Sequence, residues 1–370
     1  MDPFIPKTTS YDNILFIECL ISNDNSNLQR VRISHSTPII SSTGINSIVQ
    51  RANVSGAMVS VAELDSGTAI FSETSPGIYM ADSNFKPEPG KTYKLEVVFE
   101  GNTFESDEIT MLDGTPIDSI SFKHTKEKLS ESSPVYDGYH FYVSTHDDYD
   151  GPSYFRWESD ATYFFRSFYD ATHIYINRTQ VPANNNDVKF CWTSNTMKGI
   201  YVANTEGISE NKILESPLHF QSQYGDALSI RYSLNVKQYK ISRKMWQFWD
   251  EMARQVNQNG GMYDTQPFRI EGNIRCTSDP SVMVTGIFEA AGFSEKRIYV
   301  DRPLEFEVIP VFCPKEEIGT RDLPWYRIPS GSYIMYEYDA GAYMYSSPQC
   351  FDCTLKNGTL EKPDFWDDGN

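Results

Sequence analysis

The residues best suited to chemistry lie at the end of the chain, where two thiols stand three apart in Cys350-Phe351-Asp352-Cys353. Three chemistries use such a pair. A redox pair wants a helix N-terminus to lower one thiol pKa; here Ser347-Pro348-Gln349 precedes and a loop ending at Gly358 follows, so no strand-to-helix context is visible. A structural zinc site wants four ligands. Cys313, Cys350 and Cys353 supply three, and no histidine follows at finger spacing. A structural disulfide needs neither context and is the reading adopted. The six cysteines of the chain suit an exported protein with about two or three bridges. The expected pairings are Cys191 with Cys276, and Cys313 with one of Cys350 and Cys353.

Other constellations are weaker. The run His146-Asp147-Asp148-Tyr149-Asp150-Gly151 places oxygen donors at Asp147, Asp148 and Asp150 before a glycine. A calcium loop of the EF-hand type starts with Asp and closes with Glu at its twelfth position. This run starts with His146 and reaches Trp157 there, so it reads as a solvated acidic turn between strands. His35, His124, His140, His173 and His219 are scattered without metal spacing. No nucleophile elbow, zinc-protease pair, phosphate loop or dinucleotide glycine fingerprint occurs. With 50 Asp and Glu, only geometry selects a hydrolytic carboxylate pair. The best surface candidate is the cluster Tyr333, Tyr336, Tyr338, Tyr343 and Tyr345 around Asp339-Ala340-Gly341. Tyr336 and Tyr338 share one strand face, and the turn would fold Tyr343 and Tyr345 back beside them. Aromatic faces with polar tips suit contacts with sugar, peptide or protein. A hairpin whose rings cover a core is the open alternative.

The elements that must position these groups read as mainly β. A chain of 370 residues suggests two or three domains. Its 39% hydrophobic content suffices for folded cores, and 23 Tyr with 22 Phe favour pleated surfaces. A net charge of −18 argues against nucleic acid and anionic membrane as direct partners. No apolar run reaches membrane-spanning length, and Met1-Asp2-Pro3-Phe4 reads as mature sequence, without a signal peptide.

Residues 1–113 read as a small β-sandwich. Val59-Ser60-Val61 and Ala69-Ile70-Phe71 flank the turn signal Asp65-Ser66-Gly67, and Tyr93, Leu95 and Val97 alternate before Gly101-Asn102. Gly114 and Pro116 mark a boundary. Residues 114–312 read as a second, immunoglobulin- or fibronectin-like sandwich, with Trp157 as a plug between its sheets. One helix is predicted near 243–258: Ser242 caps it, Met245, Trp249, Met252 and Val256 form its apolar stripe, and Gly260-Gly261 ends it. After the helix, Phe268-Arg269-Ile270, Val282 to Phe288 and Arg297 to Val300 return to strand patterning. Residues 313–370, rich in Tyr and Cys, read as an extension packed on the second sandwich under disulfide restraint.

Taken in order, several pieces resemble one known family. They are Gly56-Ala57 to Gly77-Ile78-Tyr79, then Tyr154-Phe155-Arg156-Trp157, Phe190-Cys191-Trp192, Tyr232-Ser233-Leu234 and Gln238-Tyr239-Lys240-Ile241-Ser242. Phe248-Trp249, Gly272-Asn273-Ile274 with Cys276, and the tail ending in Lys362-Pro363-Asp364-Phe365-Trp366 complete the set. Together they resemble domain-of-unknown-function family 4249, outer-membrane lipoproteins of Bacteroidetes encoded beside TonB-dependent transporters. The opening sandwich is also similar to transthyretin-like and carboxypeptidase-regulatory-like modules. The family resemblance implies a non-enzymatic surface lipoprotein, without cofactor, that partners a TonB-dependent transporter in the uptake of a small glycan or peptide. Such proteins carry a lipid-bearing cysteine at the mature N-terminus, where this sequence has Met1, so attachment to the membrane is expected only through a lipid absent from this chain. Cys19, inside an apolar strand, has no counterpart in the pattern and reads as a buried free thiol. Two other classes remain as alternatives: an extracellular hydrolase, and a structural or adhesive cell-surface protein.

Overall fold

The computed structural model describes residues 14–24, 29–36, 51–64, 66–130, 132–257 and 270–367. The protein is mainly β, with several sheets and, among the described residues, one α-helix. No described helix is long and apolar enough to cross a membrane.

Alternation builds the first core. In Leu15–Ser22, Leu15, Ile17, Cys19 and Ile21 point inward, as do Tyr93, Leu95 and Val97 in Thr92–Phe99. The predicted hairpin is present, with Val59 opposite Phe71 and Val61 opposite Ala69. Its turn residue Asp65 lies outside the described residues. From Leu15–Ser22 the ladder runs through Arg30–Ser36, Ile78–Ala81, Gly67–Ser75, Met58–Glu63, Thr92–Phe99 and Asn102–Ser106 to Ile274–Cys276.

The second core lies between two sheets. Ile117–Lys128, Val135–His146 and Lys212–Ser222 form one. Tyr154–Arg166, flanked by Phe190–Thr196 and Arg231–Ile241, faces it. Phe141 and Val143 of the first sheet share this core with Phe155, Trp157, Leu234 and Val236 of the other. Trp157 is fully buried and donates Nε1–H to Gln238 Oε1 at 2.8 Å, the inter-sheet plug expected from sequence.

One strand joins the cores. Val284–Asp301 runs parallel to Leu15–Ser22 over its first half, then antiparallel to Arg231–Ile241 over its second. The result is a single 15-stranded sheet that passes through both cores. Close backbone approach at this junction explains two glycines. A Cβ on Gly286 would sit 2.0 Å from the Ile17 carbonyl oxygen, and one on Gly272 would sit 1.6 Å from that of Gly286. Next to them Asn273 acts as a surrogate strand partner, accepting from Phe288 N at 2.8 Å and donating to Phe288 O at 2.9 Å.

The helix spans Arg243–Asn257, with the Ser242 hydroxyl accepting from Met245 N at 3.3 Å as a cap should. Met245 is buried, and Trp246, Phe248 and Trp249 pack on the first core. The predicted stop at Gly260-Gly261 and the start of the strand expected at Phe268-Arg269 lie outside the described residues.

The tail is covalently tied, though not wholly as expected. Cys313 bonds Cys350, which agrees with the pairing of Cys313 to one of the two tail thiols. Cys191 bonds Cys353, not Cys276. The reason is positional. Cys276 pairs with Phe104 in the ladder of the first core, whereas Cys191 pairs with Phe165 beside the second. Cys276 is a buried free thiol, as is Cys19. Because Cys350 and Cys353 belong to different bridges, they form neither a redox pair nor half of a zinc site. The chain end also adds main-chain pairing, with Trp192 and Thr359 exchanging both hydrogen bonds. Trp366 is buried with its ring set edge-on to those of Trp192 and Tyr299.

Candidate functional site

Where the sheet passes from one core to the other, its strands floor a groove with a cavity of about 1300 Å³. Outward-pointing residues of successive strands line it: Glu158 and Asp160, then Lys237 and Tyr239, then Thr285 and Ile287. Phe16 and Leu20 come next, and Arg30 and Arg32 after them. Strand periodicity fixes this arrangement, since the two residues named on each strand are two or four apart and so share a face. Phe248, Trp249, Met252 and Gln255 of the helix also line the cavity.

Arg156 organises the groove. Its side chain is 5% exposed and held by two carboxylates and two rings. Nη1 donates to Glu158 Oε1 at 2.6 Å, and Nη2 to Glu289 Oε2 at 3.1 Å. The guanidinium carbon lies 4.7 Å from the ring centre of Tyr239 and 4.8 Å from that of Trp249, a double cation–π contact in a dry setting. Trp249 closes the cluster by donating Nε1–H to Glu289 Oε1 at 2.6 Å. Arg156 Nε, also buried, has no hydrogen-bond partner among the described residues.

The electrostatics follow from burial. Desolvation raises the Glu289 carboxyl above the ordinary carboxylate value, and the neighbouring Arg156 offsets this only in part. Burial likewise pushes the Cys19 thiol upward, with Glu289 adding to the effect, so Cys19 stays a neutral thiol and not a nucleophile. At the rim, Lys237 pairs with Asp160 at 2.9 Å. The assembly can hold charged and apolar groups of a ligand on a fixed surface.

The tyrosines predicted from sequence lie elsewhere. Ser332–Glu337 and Ala342–Tyr345 form the expected hairpin, with Tyr336 opposite Tyr343. The rings of Tyr336, Tyr338 and Tyr343 touch in sequence, at 5.1 Å for the first two and 4.9 Å between Tyr336 and Tyr343. Tyr343 also meets Trp325 and His173, and packs with Tyr345 on a small core of Tyr175, Ile318, Ile328 and Ile334. Tyr333 packs on a different cluster, around Phe351. Three of the five rings thus form one surface strip, ending in the exposed Tyr338.

Of the acidic turn, Asp147 is committed to structure. It pairs with Lys240 at 2.5 Å and accepts from Ser153 Oγ at 2.5 Å and from Tyr149 N at 3.3 Å. Asp148 and Asp150 are exposed. Among the described residues no group of three or more His, Cys, Asp or Glu side chains could hold a metal ion.

Sequence reasoning missed Arg156, Glu158 and Glu289 as a unit. The readable signals were Glu289 inside the apolar run Gly286-Ile287-Phe288-Glu289-Ala290-Ala291, and the alternation that opposes Arg156 to Trp157.

The model of the family described as a domain of unknown function, DUF4249, matches residues 1–297, and the chain belongs to that family. No curated protein and no solved structure matches it.

Proposed function

We propose, starting from that membership, that this protein is a binding protein of the outer membrane. In this reading an N-terminal lipid anchors it, and it serves a TonB-dependent transporter in nutrient uptake without a chemical step of its own. The observation that carries the reading is the groove. A large cavity whose floor is one continuous sheet, and whose central cation is locked by two carboxylates and two rings, offers a preformed surface for recognition. The link to a transporter rests on what the family resemblance implies. The acidity of the chain, −18 overall, supports a protein partner over nucleic acid or anionic lipid. The experiment is extraction of the natively lipidated protein from its own membranes, followed by affinity purification. A transporter barrel should accompany it in stoichiometric amount; a protein recovered alone, or never found in the membrane fraction, overturns the reading.

A further inference from the structure

We infer that the native bridges are reached by thiol–disulfide exchange in which the tail thiols displace Cys276, and that the chain is a client of a disulfide isomerase, an oxidoreductase with a dithiol of its own. The inference goes beyond the proposed binding role and does not depend on it.

Connectivity carries the argument. Cys191 is bridged to Cys353 and Cys313 to Cys350, while Cys19 and Cys276 stay free. Before the chain folds, how often two thiols meet depends on the length of chain between them. Cys191 lies 85 residues from Cys276 and 162 from its native partner, so loop closure favours the wrong thiol about threefold. Cys313 stands midway, 37 residues from Cys276 and 37 from its native partner Cys350. Loop closure cannot tell those two apart. Cys350 and Cys353, the nearest pair in the chain, belong to different bridges. Spacing therefore selects neither native bridge.

Chain order adds to the bias. Cys276 precedes Cys350 and Cys353, so during synthesis it is within reach of Cys191 and Cys313 before either native partner exists. What withholds it in the end is tertiary structure. Ile274–Cys276 is a three-residue strand at the end of the large sheet, paired with Asn102–Ser106. The Asn273 side chain ties it to Val284–Asp301 through two hydrogen bonds with Phe288. That strand is in place only when it pairs with both Leu15–Ser22 and Arg231–Ile241. Protection of Cys276 thus comes with the joined sheet, and not before it.

The exchange needs no net oxidation. In a chain carrying Cys191–Cys276, the Cys353 thiolate attacks the Cys191 sulfur; the old S–S bond breaks as the new one forms, and Cys276 leaves as a thiolate that takes a proton from water. The Cys350 thiolate displaces Cys276 from Cys313 in the same way. An isomerase thiolate opens either wrong bridge through a mixed disulfide and is released when the native cysteine attacks in turn. A disulfide donor or other thiol oxidant supplies the first bridges. All four bridged cysteines are at most 3% exposed in the fold, so burial ends the exchange.

The test is reoxidation of the reduced, unfolded full-length chain under three conditions: limiting diamide, a glutathione couple, and that couple with a catalytic amount of protein disulfide isomerase. Samples are quenched in acid at intervals, alkylated and mapped without reduction. With diamide, which supplies no thiol for exchange, Cys276 should appear in bridges to Cys191 or Cys313 in most chains. The isomerase should bring the native pair forward about tenfold in time, since reshuffling runs from seconds to hours according to the catalyst. C276S, and C276A as a second replacement at this buried position, should each raise the native fraction in diamide alone severalfold. Native linkages formed in diamide as fast as with isomerase, trapped samples without any Cys276 bridge, or no gain from either replacement would overturn the inference. The first two readings use the wild type, so they decide the matter whether or not the variants fold.

Discussion

Arg156 and Glu289 meet 3.1 Å apart with both side chains closed off from water, at the place where the two halves of the sheet share a strand. Each is the main compensation for the charge of the other. R156M leaves Glu289 in an apolar setting with the indole N–H of Trp249 as its remaining partner, and should cost about 3–5 kcal/mol. R156M/E289Q removes both charges and should recover most of that loss in urea unfolding. Additive losses would show that the pair is not coupled.

Glu289 also sets a pH dependence. Its carboxyl is raised in the folded state, so the folded protein holds this proton more tightly than the unfolded chain. The stability it contributes is present below the ordinary carboxylate value and is lost as pH rises through the raised one. The stability of the wild type relative to E289Q should therefore fall with rising pH across that window, and a flat difference would contradict the assignment.

His219 works in the opposite sense. It is buried against Phe141 and faces the Tyr232 hydroxyl at 3.0 Å. Burial lowers its imidazole from 6.5 to about 4. Its contribution is thus complete above pH 6.5 and lost as pH falls toward 4. H219Q should lose stability less steeply than the wild type over that interval, read as urea midpoints at a series of pH values.

The two bridges should differ in weight. Cys191–Cys353 spans 162 residues and Cys313–Cys350 spans 37. On loop-closure entropy their removal should cost about 5 and about 4 kcal/mol respectively. Non-reducing peptide mapping should recover these two linkages, and alkylation before unfolding should leave Cys19 and Cys276 unlabelled, since both are buried. Labelling of either in the native protein would contradict the packing.

The tyrosine strip separates surface from core. Tyr338 is 86% exposed, so Y338A should change stability by no more than about 0.5 kcal/mol. Tyr343 supports Trp325, His173 and Tyr336, and Y343A should cost about 1–2 kcal/mol, below the range for a fully buried ring. Equal effects in thermal melts would mean that the strip packs otherwise.

How much of this was legible beforehand depends on the range of the interaction. Local signals served well: Ser242 capping its helix, the Val59–Phe71 hairpin, and Trp157 between sheets all follow from period and turn chemistry over a few residues. Pairing between distant segments did not follow. Nothing near Val284 says that it lies beside Leu15, nor that Arg231–Ile241 stands between Val284–Asp301 and Tyr154–Arg166, and without that second placement Arg156, Glu158 and Glu289 cannot be seen as neighbours. Gly272 and Gly286 were visible as residues, but the backbone crossing that requires them was not. The misassigned partner of Cys191 has the same origin, because the ladder that carries Cys276 away could not be read from spacing.

The parallel contact between Leu15–Ser22 and Val284–Asp301 has a kinetic consequence. The opening strand has one neighbour close in sequence, and its other neighbour emerges more than two hundred and sixty residues later. During synthesis its outer edge must wait, unpaired, until about four-fifths of the polypeptide is available. Maturation is then a late, whole-chain event, and a truncation before residue 284 leaves an open edge ready to pair with another molecule.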